Sequence, residues 1–239
     1  PDGQRVVPVD FIWRRHDFDV FCRRGPHGGA PDEGAVTQHK EVSMNAKATE
    51  LAGHLLVRCL MEQGVTHVFG VPGESYLAAL DGFHEHASRI QFVANRQEGG
   101  AAYMAEAVGK LTGRPGVCFV TRGPGATNAC VGVHTAFQDS TPMVLLIGDV
   151  AQDARDREAF QEVDFIAMFN PLAKMVQRVD DAERLPEYVQ RAFATAMNGR
   201  PGPVVLVFPE DMLTRVVSAQ PLPRVEPVRP GVGTTAFNA

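Results

Sequence analysis

The chain of 239 residues has a single tryptophan, Trp13, and four cysteines with no Cys-x-x-Cys pair among them. Cys22, Cys59, Cys118 and Cys130 are scattered, which excludes a dense disulfide framework and a cysteine zinc site. Three of them stand in apolar stretches, as reduced thiols packed like small hydrophobes do. His84 and His86 are two residues apart and would not share a helix face, so no metal is expected there. No basic run occurs and the net charge is −5, which argues against a nucleic-acid partner. No apolar run approaches a membrane span and no signal-peptide pattern is visible, so a cytoplasmic chain with no membrane association is expected. What is present is ordinary for a globular protein: 44% apolar and 21% charged residues, enough to bury a core.

Residues 1–43 carry glycines, prolines and mixed charges with no lasting period, and Met44 stands directly before the first strong helical pattern. They read as an extension, largely disordered. A helix is expected from about Ala46 to Gln63, with Asn45 as N-cap and Gly64 as its stop. Strand patterns follow at His67–Val71, Ile90–Ala94, Val117–Thr121, Met143–Ile147, Lys174–Val179 and Val204–Phe208. Helical patterns fill the gaps at about 75 onward, 98–111, 126–137 and 185–197. Near-continuous β-branched runs alternating with helices predict an α/β fold: a parallel six-stranded sheet with helices on both faces, a Rossmann-like three-layer arrangement. Residues 44–217 form the expected domain. Residues 218–239, with Pro221, Pro223, Pro227 and Pro230, read as a linker leaving it.

Several segments fall at the carboxyl edge of that sheet, where ligands bind in open α/β folds. Glu98 opens a helix after the 90–94 strand, followed by Gly99 and Gly100. An acidic residue there suits the helix dipole and needs no further role. Gly70-Val71-Pro72-Gly73-Glu74 reads as a Pro-Gly turn. Gly123-Pro124-Gly125-Ala126-Thr127-Asn128 looks like a phosphate-cradling loop, yet it lacks a following lysine and a third glycine. Ala159-Phe160-Gln161-Glu162 lies in an irregular stretch, the kind of loop that carries function.

Taken together and in order, these segments resemble the N-terminal, pyrimidine-binding domain of thiamine-diphosphate-dependent enzymes, nearest to acetolactate synthase large subunits. The motifs are Gly64-Val65-Thr66-His67-Val68-Phe69-Gly70-Val71-Pro72-Gly73-Glu74, Arg96 to Ala102, Gly123 to Asn128, Asp139-Ser140-Thr141-Pro142-Met143, Ala159 to Glu162, and Gly199-Arg200-Pro201-Gly202-Pro203-Val204. The resemblance implies the thiamine-diphosphate-binding fold and makes Glu98 the catalytic residue. In that family the glutamate hydrogen-bonds N1′ of the aminopyrimidine ring and shares a proton with it, which activates the thiazolium C2. An apolar, desolvated setting for this carboxylate is implied. Pro72, Gly73 and Glu74 are expected near the pyrimidine. Thr127 and Asn128 are expected to shape the same region, with helix capping as their other reading. Phe160, Gln161 and Lys174 match family residues on the substrate side, with packing or solvated surface as the alternative.

Four positions depart from the family pattern at this edge. Gln97 stands for histidine, Gly99 for an amide residue, Arg122 for a small residue and Asp149 for glutamine. The Gly-Asp-Gly motif that holds Mg²⁺ and diphosphate in a separate domain is absent from this sequence, since Gly148-Asp149-Val150 does not fit it. Mg²⁺ is therefore expected in that other domain, and any FAD in a central domain that is also not in this sequence. Three readings follow. The chain is one half of a carboligase or decarboxylase acting on 2-oxo acids such as pyruvate, completed by a diphosphate-binding domain protein or second subunit as a homo- or hetero-oligomer. Alternatively it is an inactive truncated fragment, or a non-catalytic nucleotide-binding or interaction module.

Overall fold

The computed structural model describes residues 49–228. The expectations for residues 1–43, Asn45 as N-cap, Cys22 and residues 229–239 lie outside the described residues.

Six strands form one parallel sheet in the order β3-β2-β4-β5-β7-β6: β2 His67–Gly70, β3 Gln91–Ala94, β4 Gly116–Val120, β5 Met143–Asp149, β6 Met175–Arg178 and β7 Pro203–Pro209. β4, β5 and β7 are buried along their whole length. Alternate side chains on these strands point to opposite faces. Val117, Phe119, Val144, Leu146, Val204, Leu206 and Phe208 pack on one face with α1 (Ala52–Glu62), α2 (Leu77–Glu85) and α6 (Leu185–Met197). Cys118, Val120, Leu145, Ile147, Val205 and Val207 pack on the other with α3 (Glu98–Thr112), α4 (Gly123–Gln138) and α5 (Phe165–Phe169). The same runs thus feed two cores, which is why they read as continuously apolar. Cys59 and Cys118 sit inside these cores, and burial pushes the Cys59 thiol up to about 12.

The first helix is shorter than its pattern suggests. Glu50 and Leu51, as β1, pair antiparallel with Val216 and Val217 (β8), and α1 begins only at Ala52, whose N–H donates to Arg215 O. A tertiary pairing about 165 residues away overrides local helix propensity. A short helix, α7 (Glu210–Leu213), links β7 to β8.

The stretch after β8 does not leave as a solvated tether over its described part. Buried Gln63 donates to the carbonyls of Leu222 and Pro223 and accepts from Val225 N–H at 2.9 Å. Arg114 binds Val225 O and Glu226, and Asn198 accepts from Val228 N–H. Residues 222–228 are strapped across the amino edge of the sheet, while Ser218 N–H donates to Glu183 beyond the carboxyl end of β6.

The chain runs from β2 to β3 on one side and from β4 to β5 on the other. The crevice between the carboxyl ends of β2 and β4 is therefore the topological switch point.

Candidate functional site

Glu98 is the first residue of α3, and it is set by its neighbours on both sides. Gln97 is extended and its side-chain oxygen caps the helix, accepting from Gly100 N–H at 3.1 Å. A Cβ on Gly99 would lie 2.8 Å from that oxygen, so the two departures at 97 and 99 work as one device. On α4, Asn128 Nδ2 donates to Glu98 Oε2 at 3.0 Å. Oε1 accepts no hydrogen bond from the described residues. A Cβ on Gly125 would come within 3.4 Å of Oε1, so glycine leaves the space beside that oxygen open. Glu98 is half-buried in this chain, less enclosed than a fully desolvated setting requires. Just after β3, Asn95 Oδ1 is buried with no hydrogen-bond partner among the described residues.

The switch-point crevice is tied together by polar bonds. Buried Ser75 bonds Thr121 Oγ1 at 2.7 Å and donates to Gly148 O. Arg122 binds Glu74 at 3.1 Å and Glu210 at 3.5 Å, linking the Pro72-Gly73-Glu74 loop, the start of α4 and α7. Tyr76 stacks on Phe119 with ring centroids 4.0 Å apart and donates to Val71 O; burial pushes its phenol well above the usual range. Asp149, 1% exposed at the end of β5, accepts from Val150 N–H at 2.8 Å and from Arg178 at 2.6 Å. Burial raises its carboxyl above the usual aspartate range, against the pull of that amide and of Arg178. Three of the four departures, Gln97, Arg122 and Asp149, therefore have polar partners, and Gly99 leaves room for the first of them.

Of the expected site residues, Pro72, Gly73, Glu74, Glu98 and Asn128 gather around this crevice. Thr127 is on the same turn, but its hydroxyl donates to Pro124 O at 2.9 Å, a bond within its own helix. Gln161 reaches the crevice through its backbone, where its carbonyl accepts from Gly123 N–H at 3.0 Å. Phe160 is 74% exposed beside it. Gln161 also lines an open cavity of about 750 Å³ together with Arg155, Glu158, Glu162 and Arg178. Lys174 is not brought to Glu98. It lies at the amino end of β6, on the opposite edge of the sheet, where Nζ donates to Thr195 O and Asn198 O at the end of α6. A cation there suits the negative end of the helix dipole.

Motif order did not reveal the Ser75–Thr121–Gly148 bonds, the Arg122 clamp or the Asp149–Arg178 pair. The unusual residues at 122 and 149 were the available signal; their partners come from distant strands and loops.

Fold and edge together are those of an α/β cofactor-binding domain with its candidate site at the switch point. Residues 51–168 match the family described as thiamine pyrophosphate enzyme, N-terminal TPP binding domain, and the chain belongs to that family. It is 40% identical over 185 residues to acetolactate synthase of Bacillus subtilis (strain 168), covering 77% of this chain and 32% of that protein. It is 42% identical over 173 residues to the acetolactate synthase isozyme 3 large subunit of Escherichia coli (strain K12), covering 72% and 29%. With the mitochondrial acetolactate synthase catalytic subunit of Saccharomyces cerevisiae (strain ATCC 204508 / S288c) it is 36% identical over 194 residues, covering 81% and 28%. The chain thus spans about a third or less of the length of these curated relatives.

Proposed function

We propose that this chain binds the aminopyrimidine ring of thiamine diphosphate through Glu98. In this reading it forms one half of an acetolactate-synthase-like carboligase or decarboxylase site for 2-oxo acids such as pyruvate. The observation that carries it is the asymmetry of the Glu98 carboxylate: Oε2 is held by Asn128 while Oε1 accepts no bond from the described residues, beside a glycine that keeps its approach clear. Such an oxygen suits a ring nitrogen with which it shares a proton. Asn95 Oδ1, buried with no partner among the described residues, is a further unsatisfied acceptor at the same edge. The residues present therefore fit the pyrimidine half of the cofactor.

When bound, thiamine diphosphate supplies the thiazolium carbon that adds to a 2-oxo acid and takes up the electrons of decarboxylation. Glu98 gives and takes the proton at the ring nitrogen. Asn128 keeps the carboxylate pointed at it, and the Arg122–Glu74 pair holds the Pro72-Gly73-Glu74 loop as a wall. Phe160 and Gln161 stand on the substrate side. Among the described residues, no group of three or more His, Cys, Asp and Glu is arranged to hold a metal. The reading assigns Mg²⁺ and the diphosphate to a partner domain. Exposed Tyr103, Met104 and Leu111 on α3 and Val131 on α4 support a face that a partner subunit covers. No helix among the described residues is long and apolar enough to cross a membrane.

Calorimetric titration of the chain with thiamine diphosphate and Mg²⁺, alone and mixed with a diphosphate-domain protein, tests this reading. Binding and pyruvate turnover in the mixture are expected, with Glu98→Gln lowering turnover by at least about 100-fold. Absence of binding in both settings, or nucleotide binding that Glu98→Gln leaves untouched, would overturn it.

A further inference from the structure

Residues 150–164 contain three of the four non-glycine residues with left-handed backbone among the described residues: Asp156 (φ 62°), Glu158 (φ 53°) and Gln161 (φ 62°). A conformation of this kind persists only where surrounding bonds over-determine it. Apolar packing does not supply them at the tip, since Phe160 is exposed. The bonds converge on Glu162. Its Oε1 accepts from Asp156 N–H at 2.7 Å and its Oε2 from Ala159 N–H at 2.9 Å, so one carboxylate closes the loop on itself in two places. Glu162 N–H donates to Ala159 O and completes the turn. On the other side, Gln161 O accepts from Gly123 N–H, and a Cβ on Gly123 would lie 2.7 Å from that oxygen. The loop is therefore seated on the first turn of α4, the helix that also carries Gly125 and Asn128.

We propose that Glu162 is a positioning residue, its carboxylate fixing Phe160 and Gln161 against the start of α4 as one wall of the Glu98 site. The inference rests on the reading that Phe160 and Gln161 face the substrate. Charge-assisted bonds to backbone amides are the stronger kind, and here they replace the apolar contacts the loop lacks. Held by Asp180 at 2.9 Å, Arg155 anchors the start of the loop, but no bond from it reaches residues 156–161. The hold on the wall is thus local to Glu162.

Hydrogen exchange on the full chain tests the clamp directly, using Glu162→Gln and Glu162→Ala. The amides of Asp156, Ala159 and Gly123 are expected to exchange at least about ten-fold faster in both variants, with β4, β5 and β7 unchanged. Unchanged loop protection would overturn the proposal. So would loss of protection throughout the sheet in both variants, which marks a general stability role. In the mixture with a diphosphate-domain protein, Glu162→Gln should raise KM for pyruvate about ten-fold, with kcat within about three-fold and unaltered thiamine diphosphate binding. A fall in kcat at constant KM would overturn the positioning role. Absence of turnover with the unmodified chain would instead count against the functional reading, and the exchange result would still decide the clamp.

Discussion

At the scale of single residues, the Asn128 amide is the one described group that bonds the Glu98 carboxylate, and it sits on an exposed turn. Asn128→Ala should therefore weaken thiamine diphosphate binding by about ten-fold, roughly one hydrogen bond to a charged group, and leave the melting temperature unchanged. Titration and thermal unfolding of the same sample check both halves. Asp149 is the opposite case, a buried acid paired with Arg178. Asp149→Ala leaves a guanidinium uncompensated and should cost about 3 kcal/mol in urea unfolding, most of it recovered when Arg178→Met is added. Because burial raises the folded-state value of Asp149, the folded chain holds this proton more tightly than the unfolded one. Its contribution to stability is full below the ordinary aspartate range and declines as pH rises through the raised value. Glu162 runs the other way. The amides of Asp156 and Ala159 hold it below the ordinary glutamate range, with Arg157 N–H and the Arg178 charge assisting. Its hold on the loop is present above the ordinary value and lost as pH falls through the lowered one, which exchange at Asp156 against pH measures. The placing of Glu98 was legible in the sequence because an acidic residue opens a helix directly after a strand pattern. The pairs Arg122–Glu74 and Asp149–Arg178 were not, because each joins residues that only the sheet order brings together.

Among the elements, the strands and most helices were legible within a few residues, since burial on two faces leaves long β-branched runs. The misreadings fall where a remote segment intervenes. Glu50 and Leu51 carry a helical pattern but serve as a strand, because Val216 and Val217 offer backbone partners. Residues 218–228 carry the prolines of a linker, but 222–225 are fastened at the amino edge by Gln63. Gln63→Ala should cost about 2 kcal/mol, by leaving Val225 N–H and two carbonyls without their partner, and should speed exchange at Val225 ahead of global unfolding. Lys174 matches a motif residue expected on the substrate side. Its position at the head of β6 makes it a cap on α6, and burial lowers its affinity for the proton. Lys174→Met should therefore destabilise the chain by about 1 kcal/mol in urea unfolding and leave thiamine diphosphate affinity unaltered.

For the molecule as a whole, the sheet divides the apolar side chains into two cores, and the site lies where the strand order turns back on itself. The 222–228 strap lies at the opposite, amino end of the strands, whereas the β1–β8 ladder follows β7 and α7 at the carboxyl end, where Arg215 bonds Gln152. The ladder has a mechanical consequence. Glu50 faces Val217 and Leu51 faces Val216, so the chain enters and exits the fold at the same end of a two-rung antiparallel ribbon. Tension applied between residue 50 and the strapped segment is borne in series: the bonds to Val228, Val225 and the 222–223 carbonyls peel first, and the ribbon then unzips rung by rung. The parallel sheet carries no load until both have given way, so pulling experiments should show small yielding steps before the main rupture. Tugs from neighbouring parts of a longer polypeptide would be absorbed at this fuse before they could distort the carboxylate of Glu98.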